Sequence, residues 1–293
     1  MLSLIIKRIA KTTILVALSL YLILLPSSAN QITWLQANQA DLAKPVFYIT
    51  PDQSYGVRRS VTAADRAAVA RYRSGLIKPT FLTPFTSRQD LGAWIRFVDD
   101  NATLKSCRRP ENVAVSQSGL VLRTLVADNC KAKWSTGQII SKEKYQYGYF
   151  EASIRAAGVS GMDNAFWLTT DDHYEIDVAE IFYPSSVSSA LHYYPENKTQ
   201  KHTMVATGVK LSQDLSKEFH DYGLLWTPTE LIFVVDGEPT VAISTHGLKG
   251  PGNLRLSTAL ATFAGKIPTN PQSHNAVVRG LRVFSLNELP KKQ

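Results

Sequence analysis

Short segments in which hydrophobic and polar residues alternate occupy this chain from about residue 95 to its end. A half-buried β-strand turns successive side chains to opposite faces, whereas an amphipathic helix repeats every ~3.6 residues. No long helical period is present in this region. The pattern therefore predicts an all-β sandwich or jelly roll, in which two packed sheets leave one concave face for a long ligand. The alternating segments are residues 120–125, 149–155, 189–194, 224–227, 231–235, 241–244, 253–260 and 276–285.

Residues 175–180 read Glu-Ile-Asp-Val-Ala-Glu, which places three acids in six positions. Alternation puts Glu175 and Asp177 on one face of a strand, and strict alternation would turn Glu180 to the other face. One extra residue, accommodated as a β-bulge near Val178 and Ala179, would return Glu180 to the acidic face. Because like charges placed side by side disfavour each other, fold stability gives no reason for such a row. A solvated strand edge and a calcium site are the structural alternatives.

Hydrolysis of a glycosidic bond does require such a group of acids. One carboxylate must stand on one side of the anomeric carbon, and a protonated carboxyl must stand near the leaving oxygen. A third acid between them can orient one carboxylate and help to keep the other protonated. The acidic segment therefore favours a catalytic site over a purely structural strand.

The acidic segment resembles the signature of glycoside hydrolase family 16, in the form with one inserted residue that is typical of the laminarinase-like branch. Further resemblances follow in the family's order and cover roughly residues 100–287. They imply a jelly-roll catalytic domain with a glycan-binding cleft at residues 91–293. The resembling segments are Tyr-Gly-Tyr-Phe-Glu-Ala at 147–152, Ala-Phe-Trp-Leu at 165–168, Phe-His-Asp-Tyr at 219–222, Trp226, Val-Asp-Gly at 235–237 and a closing strand at 278–284.

The resemblance also implies catalytic roles. Glu175 is expected to be the nucleophile, Glu180 the acid/base, and Asp177 a modulating residue between them. Two carboxyls about 5–5.5 Å apart would give a retaining mechanism through a covalent glycosyl-enzyme. No cofactor and no metal ion are expected. The implied reaction is internal cleavage of a β-linked polysaccharide, first of all a β-1,3- or β-1,3-1,4-glucan. The alternatives are a galactan or exopolysaccharide hydrolase, a transglycosylase, and a non-catalytic glycan-binding jelly roll.

Sugar rings are bound by aromatic faces and planar hydrogen-bonding groups. The family usually places a Trp shortly before the nucleophile, but this chain has Asp-Asp-His-Tyr at residues 171–174, so His173 or Tyr174 would have to replace it. Core packing is as plausible as sugar binding for the two Trp candidates. Glu151 lies among polar residues of its strand and is a weaker cleft candidate. The candidate substrate-binding residues are Trp134, Trp167, Tyr174, His192 and Tyr194.

The chain has two cysteines, Cys107 and Cys130. A lone pair of cysteines in an exported protein usually forms a disulfide. Bacterial lichenases of the same family carry a pair at similar places, before and after an early strand, which supports a structural bridge here. A metal site is not indicated, because neither cysteine has zinc-ligand spacing or an adjacent His.

The N-terminus resembles a secretory signal. Lys7, Arg8 and Lys11 precede an apolar run at residues 13–25 and small residues at 26–29. The run is shorter than the ~20 residues of a membrane span, so a signal peptide at 1–29 is favoured over an uncleaved anchor. Residues 30–90 would be an N-terminal extension with one helix at 60–73, capped by Ser60 or Thr62.

The formal net charge of +8 comes from scattered Lys and Arg residues, and no basic stripe typical of nucleic-acid binding is present. We expect a polysaccharide substrate as partner, no nucleic acid, no stable membrane span after signal cleavage, and a monomeric protein. The signal segment places the mature chain outside the cell, in the periplasm or at the cell envelope.

Overall fold

The computed structural model describes residues 58–101, 103–196 and 199–286 of the 293-residue chain. The expected signal peptide at 1–29 and residues 30–57 of the expected extension lie outside these ranges. Within them, we find no helix that combines the length and the apolar character needed to cross a membrane. The strands of the described part are numbered along the chain from β1 to β19, and its α-helix is α1.

One large sheet contains nine strands in the order β1-β17-β16-β15-β10-β19-β6-β5, with β2 added beside β19. Every pairing in it is antiparallel. Its strands are β1 (Arg58–Arg59), β2 (Phe81–Thr83), β5 (Val113–Ser116), β6 (Gly119–Leu122), β10 (Gly148–Arg155), β15 (His220–Trp226), β16 (Glu230–Val235), β17 (Glu238–Ser244) and β19 (Ala276–Ser285).

The second large sheet contains seven antiparallel strands in the order β14-β13-β12-β11-β18-β9-β3. The acidic segment lies in β12, near the middle of this sheet, so neighbouring strands flank it on both sides. The strands are β3 (Trp94–Arg96), β9 (Gln138–Tyr145), β11 (Met162–Thr170), β12 (Tyr174–Phe182), β13 (Ser186–Tyr193), β14 (Thr203–Lys210) and β18 (Gly252–Leu260).

A small third sheet has the order β4-β8-β7 and is stapled by the disulfide Cys107–Cys130 that the sequence predicted. Its strands are β4 (Ser106–Arg108), β7 (Leu125–Val126) and β8 (Trp134–Thr136), of which β4 and β8 are parallel. Short 3₁₀ helices span Arg88–Ala93, Pro110–Asn112, Thr262–Ala264 and Pro271–Ser273.

The hydrophobic core lies between the two large sheets. Alternation along each strand sends one set of side chains inward, and Phe150 of β10, Phe166 of β11 and Ile176 of β12 are all fully buried there. Trp226 of β15 belongs to the same core and packs 6.2 Å from Phe150 between ring centroids. This packing confirms the predicted all-β jelly-roll sandwich and leaves the outer face of the seven-stranded sheet free to carry a site.

Helix α1 (Ala63–Arg73) covers the outer face of the nine-stranded sheet. Thr62 is its N-cap: the Thr62 hydroxyl accepts from the Asp65 amide, and the Asp65 carboxylate accepts from the Thr62 amide. The Tyr72 ring stacks on Tyr149 at 5.3 Å between centroids. The predicted helix is therefore present, begins after Thr62 rather than Ser60, and docks on the sandwich through its buried apolar side.

A buried group of charges lies under the end of α1. Arg73 forms ion pairs with Glu151 of β10 and Asp221 of β15, and Arg282 of β19 also pairs with Glu151. Both carboxylates are completely buried. Glu151 therefore does not line the cleft, because the polar side of β10 faces the helix rather than a glycan-binding surface.

Candidate active site

The acidic strand carries the β-bulge that the sequence predicted. On β11, Trp167 pairs with Asp177 and Phe166 pairs with Ala179, so Val178 is the extra residue of β12. The Ser189 hydroxyl donates to the Val178 carbonyl over 2.8 Å, which holds the bulge from the β13 side. Because the bulge reverses the alternation once, Glu175, Asp177 and Glu180 all lie on the same face of the seven-stranded sheet.

These three acids line a cavity of about 520 Å³. The cavity crosses the strands of the sheet from β14 on one side to β4 on the other, which is the geometry of a groove for an extended chain. Its lining includes Met204 and Ala206 of β14, Ser188, Ala190 and His192 of β13, Glu175, Asp177 and Glu180 of β12, Asp163, Ala165 and Trp167 of β11, Ser257 of β18 and Arg108 of β4.

Side chains that follow the acidic strand hold its carboxylates. The Tyr194 hydroxyl donates to Glu175 Oε1 over 3.3 Å, and His192 Nε2 lies 2.9 Å from Asp177 Oδ2. One carboxylate oxygen each of Glu175 and Asp177 and one ring nitrogen of His192 lie within 4.8 Å of one another. The expected residues Glu175, Asp177, His192 and Tyr194 therefore meet in one hydrogen-bonded group.

Burial raises the pKa of Glu175, Asp177 and Glu180. It raises the pKa of Glu180 to about 8, with the charges of Asp177 and Glu175 acting in the same direction. It raises the pKa of Glu175 to about 7, again with help from Asp177. Asp177 itself has a pKa of about 8 because it is buried and close to Asp163. The site thus holds at least one carboxyl protonated at neutral pH, as general-acid catalysis requires.

Asp163 is a fourth carboxyl of the site that the sequence reasoning did not select. It is 8% exposed, lines the cavity, and its Oδ1 atom has no hydrogen-bond partner among the described residues. Burial and the neighbouring Glu180 raise its pKa strongly, while Arg108 opposes the shift. Asp163 and Trp167 are four residues apart on β11, so alternation places them on the same face. This spacing could have identified Asp163 from the sequence, once Trp167 was expected in the groove.

His202 is a second residue that the sequence reasoning missed. It lies just before β14, and its Nε2 atom is 2.9 Å from His192 Nδ1. Its ring also stacks on Tyr194 at 4.4 Å between centroids. His202 therefore contacts both residues that hold the carboxylates of Glu175 and Asp177, although nothing in its local sequence indicates this contact.

Trp167 lies in the groove with one face partly covered. The Arg255 guanidinium is 4.7 Å from its ring centroid, and the indole Nε1 donates to the Ser257 hydroxyl over 3.0 Å. Cation–π contact and hydrogen bonding fix the ring beside Asp177, its strand neighbour. The remaining exposed part of the indole is available to a sugar.

Two of the expected sugar-binding residues lie elsewhere. Tyr174 directly precedes Glu175, so alternation turns it to the core side, where its ring packs 4.8 Å from Tyr193 and its hydroxyl donates to the His246 carbonyl. Trp134 is 7% exposed and borders a second cavity rather than the groove with the acids. The structure therefore places both residues away from the groove that Glu175, Asp177 and Glu180 line.

Comparison with known proteins identifies the family of the chain. The sequence model of glycosyl hydrolases family 16 matches residues 101–274, which is more than half of the chain. A beta-glucanase of Acetivibrio thermocellus is 26% identical over 182 residues, covering 60% of this chain and 54% of the relative. A probable xyloglucan endotransglucosylase/hydrolase of Arabidopsis thaliana is 31% identical over 116 residues, covering 36% and 32%. The chain thus spans about half or less of these two relatives.

A solved structure shows the same fold. The laminarinase of Rhodothermus marinus superposes with a TM-score of 0.63 at 19% identity, covering 71% of this chain and 97% of that one. At this identity the likeness concerns the architecture. The family match, together with the bulged acidic strand, gives the assignment: the chain belongs to glycosyl hydrolases family 16.

Proposed function

We propose that this protein is a retaining, endo-acting glycoside hydrolase of β-linked polysaccharides, with β-1,3- or mixed β-1,3-1,4-glucan as the first substrate class. The observation that carries the proposal is the bulge at Val178, which brings Glu175 and Glu180 to one face on either side of Asp177. Family membership and the beta-glucanase relative support the reaction and the substrate class.

In the proposed reaction, Glu175 attacks the anomeric carbon while Glu180 gives its proton to the leaving glycosidic oxygen. The bond from Glu175 to the sugar forms as the glycosidic bond breaks, which leaves a covalent glycosyl-enzyme. Glu180 then removes a proton from water, the water oxygen bonds to the anomeric carbon, and Glu175 leaves. Because each displacement inverts the anomeric carbon, the two together retain its original configuration in the product.

Asp177 and its partners assist the two glutamates. The negative charge of Asp177, when it is ionised, raises the pKa of Glu180 and keeps the acid protonated. Tyr194 donates to Glu175 and favours its ionised form, while His192 orients Asp177. We assign Trp167, His192 and Tyr194 to contacts with the sugar rings next to the cleaved bond, because all three line the groove.

Internal cleavage follows from the shape of the groove. Its lining comes from strands across the seven-stranded sheet and continues to β4, so a chain can lie over the acids with sugars on both sides. Transglycosylation is the second candidate, in which a sugar hydroxyl replaces water on the glycosyl-enzyme. The similarity to a probable endotransglucosylase/hydrolase favours this candidate over a purely binding role.

We also propose that the protein acts outside the cytoplasm as a monomer. The disulfide Cys107–Cys130 supports an oxidising location, because such bonds persist mainly in exported proteins.

The deciding experiment is a panel of purified polysaccharides assayed for new reducing ends, with Glu180→Ala as the blank and Asp171→Asn as a control outside the groove. We expect β-glucans to be cut to oligosaccharides, and we expect proton NMR of early products to show β-anomers. Products of inverted configuration, or no cleavage of any glycan in a panel that includes galactans, would overturn the proposal.

A further inference from the structure

A second cavity of about 490 Å³ lies beside the small third sheet. Its floor is apolar, formed by Leu104, Ile267 and the buried Trp134. Three lysines border it, namely Lys105, Lys131 and Lys133, and all three are exposed. We call this cavity the lysine pocket; nothing in the reaction described above uses it.

The lysine pocket continues the catalytic groove at one end. Both cavities are lined by Asn101 and Leu104, so they adjoin each other. The groove reaches Arg108 at the end of β4, and the pocket begins at Cys107, its neighbour on the same strand. A polysaccharide that extends from the groove past Asn101 and Leu104 would reach the lysine pocket.

The charge of the pocket is positive. Among the described residues, no carboxylate lies within ion-pairing distance of the three lysine ammonium groups. The one acid in the pocket lining, Asp100, is already engaged by Arg109, whose Nη2 atom is 2.8 Å from Asp100 Oδ1. Lys133 Nζ lies 4.8 Å from the Trp134 ring centroid, so one ammonium stands directly above the apolar floor.

The groove is lined by carboxyl groups instead of lysines. Asp163, Glu175, Asp177 and Glu180 are all desolvated there, and any one of them that ionises raises the cost of placing another negative charge nearby. An acidic sugar is therefore disfavoured at the cleaved bond and favoured at the lysine end.

We propose that the lysine pocket binds a carboxylate-bearing sugar unit of the same polysaccharide that the groove cleaves, a few units from the cleaved bond. This inference rests on the proposed function and adds that, among β-linked polysaccharides, those with carboxylate-bearing units are preferred. The apolar floor accepts the sugar ring, and the three ammonium groups bind its carboxylate.

The test compares β-1,3-glucan with a lightly carboxymethylated form of the same glucan. The variant carries Lys105→Gln, Lys131→Gln and Lys133→Gln. The matched control carries Lys78→Gln, Lys210→Gln and Lys217→Gln, which removes three exposed charges from residues that do not line the pocket. We expect the wild type and the control to cut the charged glucan with a kcat/KM about tenfold higher than the neutral one at low salt. Added salt should remove this preference, because it screens exposed charges.

The pocket variant should cut both glucans at the rate that the wild type shows on the neutral one. Equal preference for the charged glucan in the pocket variant and the control would overturn the proposal, and so would the absence of any preference in the wild type.

A binding measurement separates this inference from the reaction itself. In a Glu175→Gln background, calorimetry with carboxymethylated β-1,3-glucan oligosaccharides should show about tenfold weaker binding when the three pocket lysines are replaced. If that loss is seen but no glucan is ever cut, the reaction is wrong and the pocket stands. If glucan is cut but replacement of the pocket lysines leaves binding unchanged, the pocket is wrong and the reaction stands.

Discussion

His202 and His192 face each other through ring nitrogens, with 2.9 Å between His202 Nε2 and His192 Nδ1 and an angle of 4° between the ring planes. His192 reaches Asp177 through its other nitrogen. Burial lowers the pKa of His192, so its ring is neutral and carries a single N–H. When Asp177 is protonated, its O–H donates to His192 Nε2, and His192 Nδ1–H donates to His202.

The first prediction concerns this chain of hydrogen bonds. His202→Phe keeps a ring against Tyr194 but removes the nitrogen that accepts the hydrogen bond from His192. The hydrogen-bond chain that stabilises protonated Asp177 is then broken. Asp177 then ionises at lower pH, and its charge raises the pKa of Glu175 further. We expect the acidic limb of the kcat/KM profile to move up by about half a pH unit, since one hydrogen bond is worth ~1 kcal/mol. His202→Gln retains an acceptor and should keep the limb in place; identical profiles for the two variants would contradict the relay.

The second prediction is a narrow pH optimum. Below a pH of about 7, protonation of Glu175 removes the nucleophile, and above about 8, loss of the Glu180 proton removes the acid. The plot of kcat/KM against pH should be bell-shaped with its maximum between these values. Because the acids interact, the two apparent pKa values belong to the group rather than to single residues. Full activity at pH 5 would show that the cavity does not raise these pKa values in solution.

The third prediction concerns Asp163 and stability. The folded state holds a proton on this buried carboxyl at a pH where the unfolded chain has lost it. The folded state thus binds more protons, so stability is lost as pH rises above the unfolded pKa of about 4. Asp163→Asn has no proton to lose and should raise Tm, more at pH 9 than at pH 5. The gain should be ~2–4 °C per kcal/mol.

Asp171→Asn is the control for that experiment, because Asp171 is half exposed and pairs with Lys144 on the surface. Its Tm difference from the wild type should not grow with pH. A Tm gain of Asp163→Asn that is the same at both pH values would show that Asp163 is ionised in the folded protein.

The fourth prediction tests the ion pairs under α1. Arg73→Met leaves the fully buried Glu151 and Asp221 with less positive charge, although Arg282 still pairs with Glu151. Breaking a buried ion pair in this way typically costs ~3–5 kcal/mol. We expect a large drop in the urea midpoint with little change in kcat at low temperature, since the pairs lie on the sheet that does not carry the groove. Arg71→Met, on the exposed side of α1, is the matched control and should change stability little.

The sequence predicted the bulge in β12 because the signal for it is local. A bulge leaves a local trace, because Glu175 and Glu180 can share a face only if one residue between them is inserted, and the structure contains that insertion at Val178. Tyr174 does not line the groove, because alternation along β12 turns the residue next to Glu175 to the core. The contact of His202 with His192 depends on the pairing of β13 and β14, and no local pattern encodes that register.

The bulge at Val178 decides on which face of β12 Glu180 lies, so it affects both the folding and the site. Strict alternation of the same six residues, without the bulge, would leave Glu175 and Glu180 on opposite faces of β12. One carboxyl would then face the groove and the other the hydrophobic core between the sheets. A carboxylate in the core has no water and no hydrogen-bond partner, so a protein without the bulge would be strongly destabilised as well as inactive. The bulge between Glu175 and Glu180 is therefore needed for folding as well as for the proposed reaction.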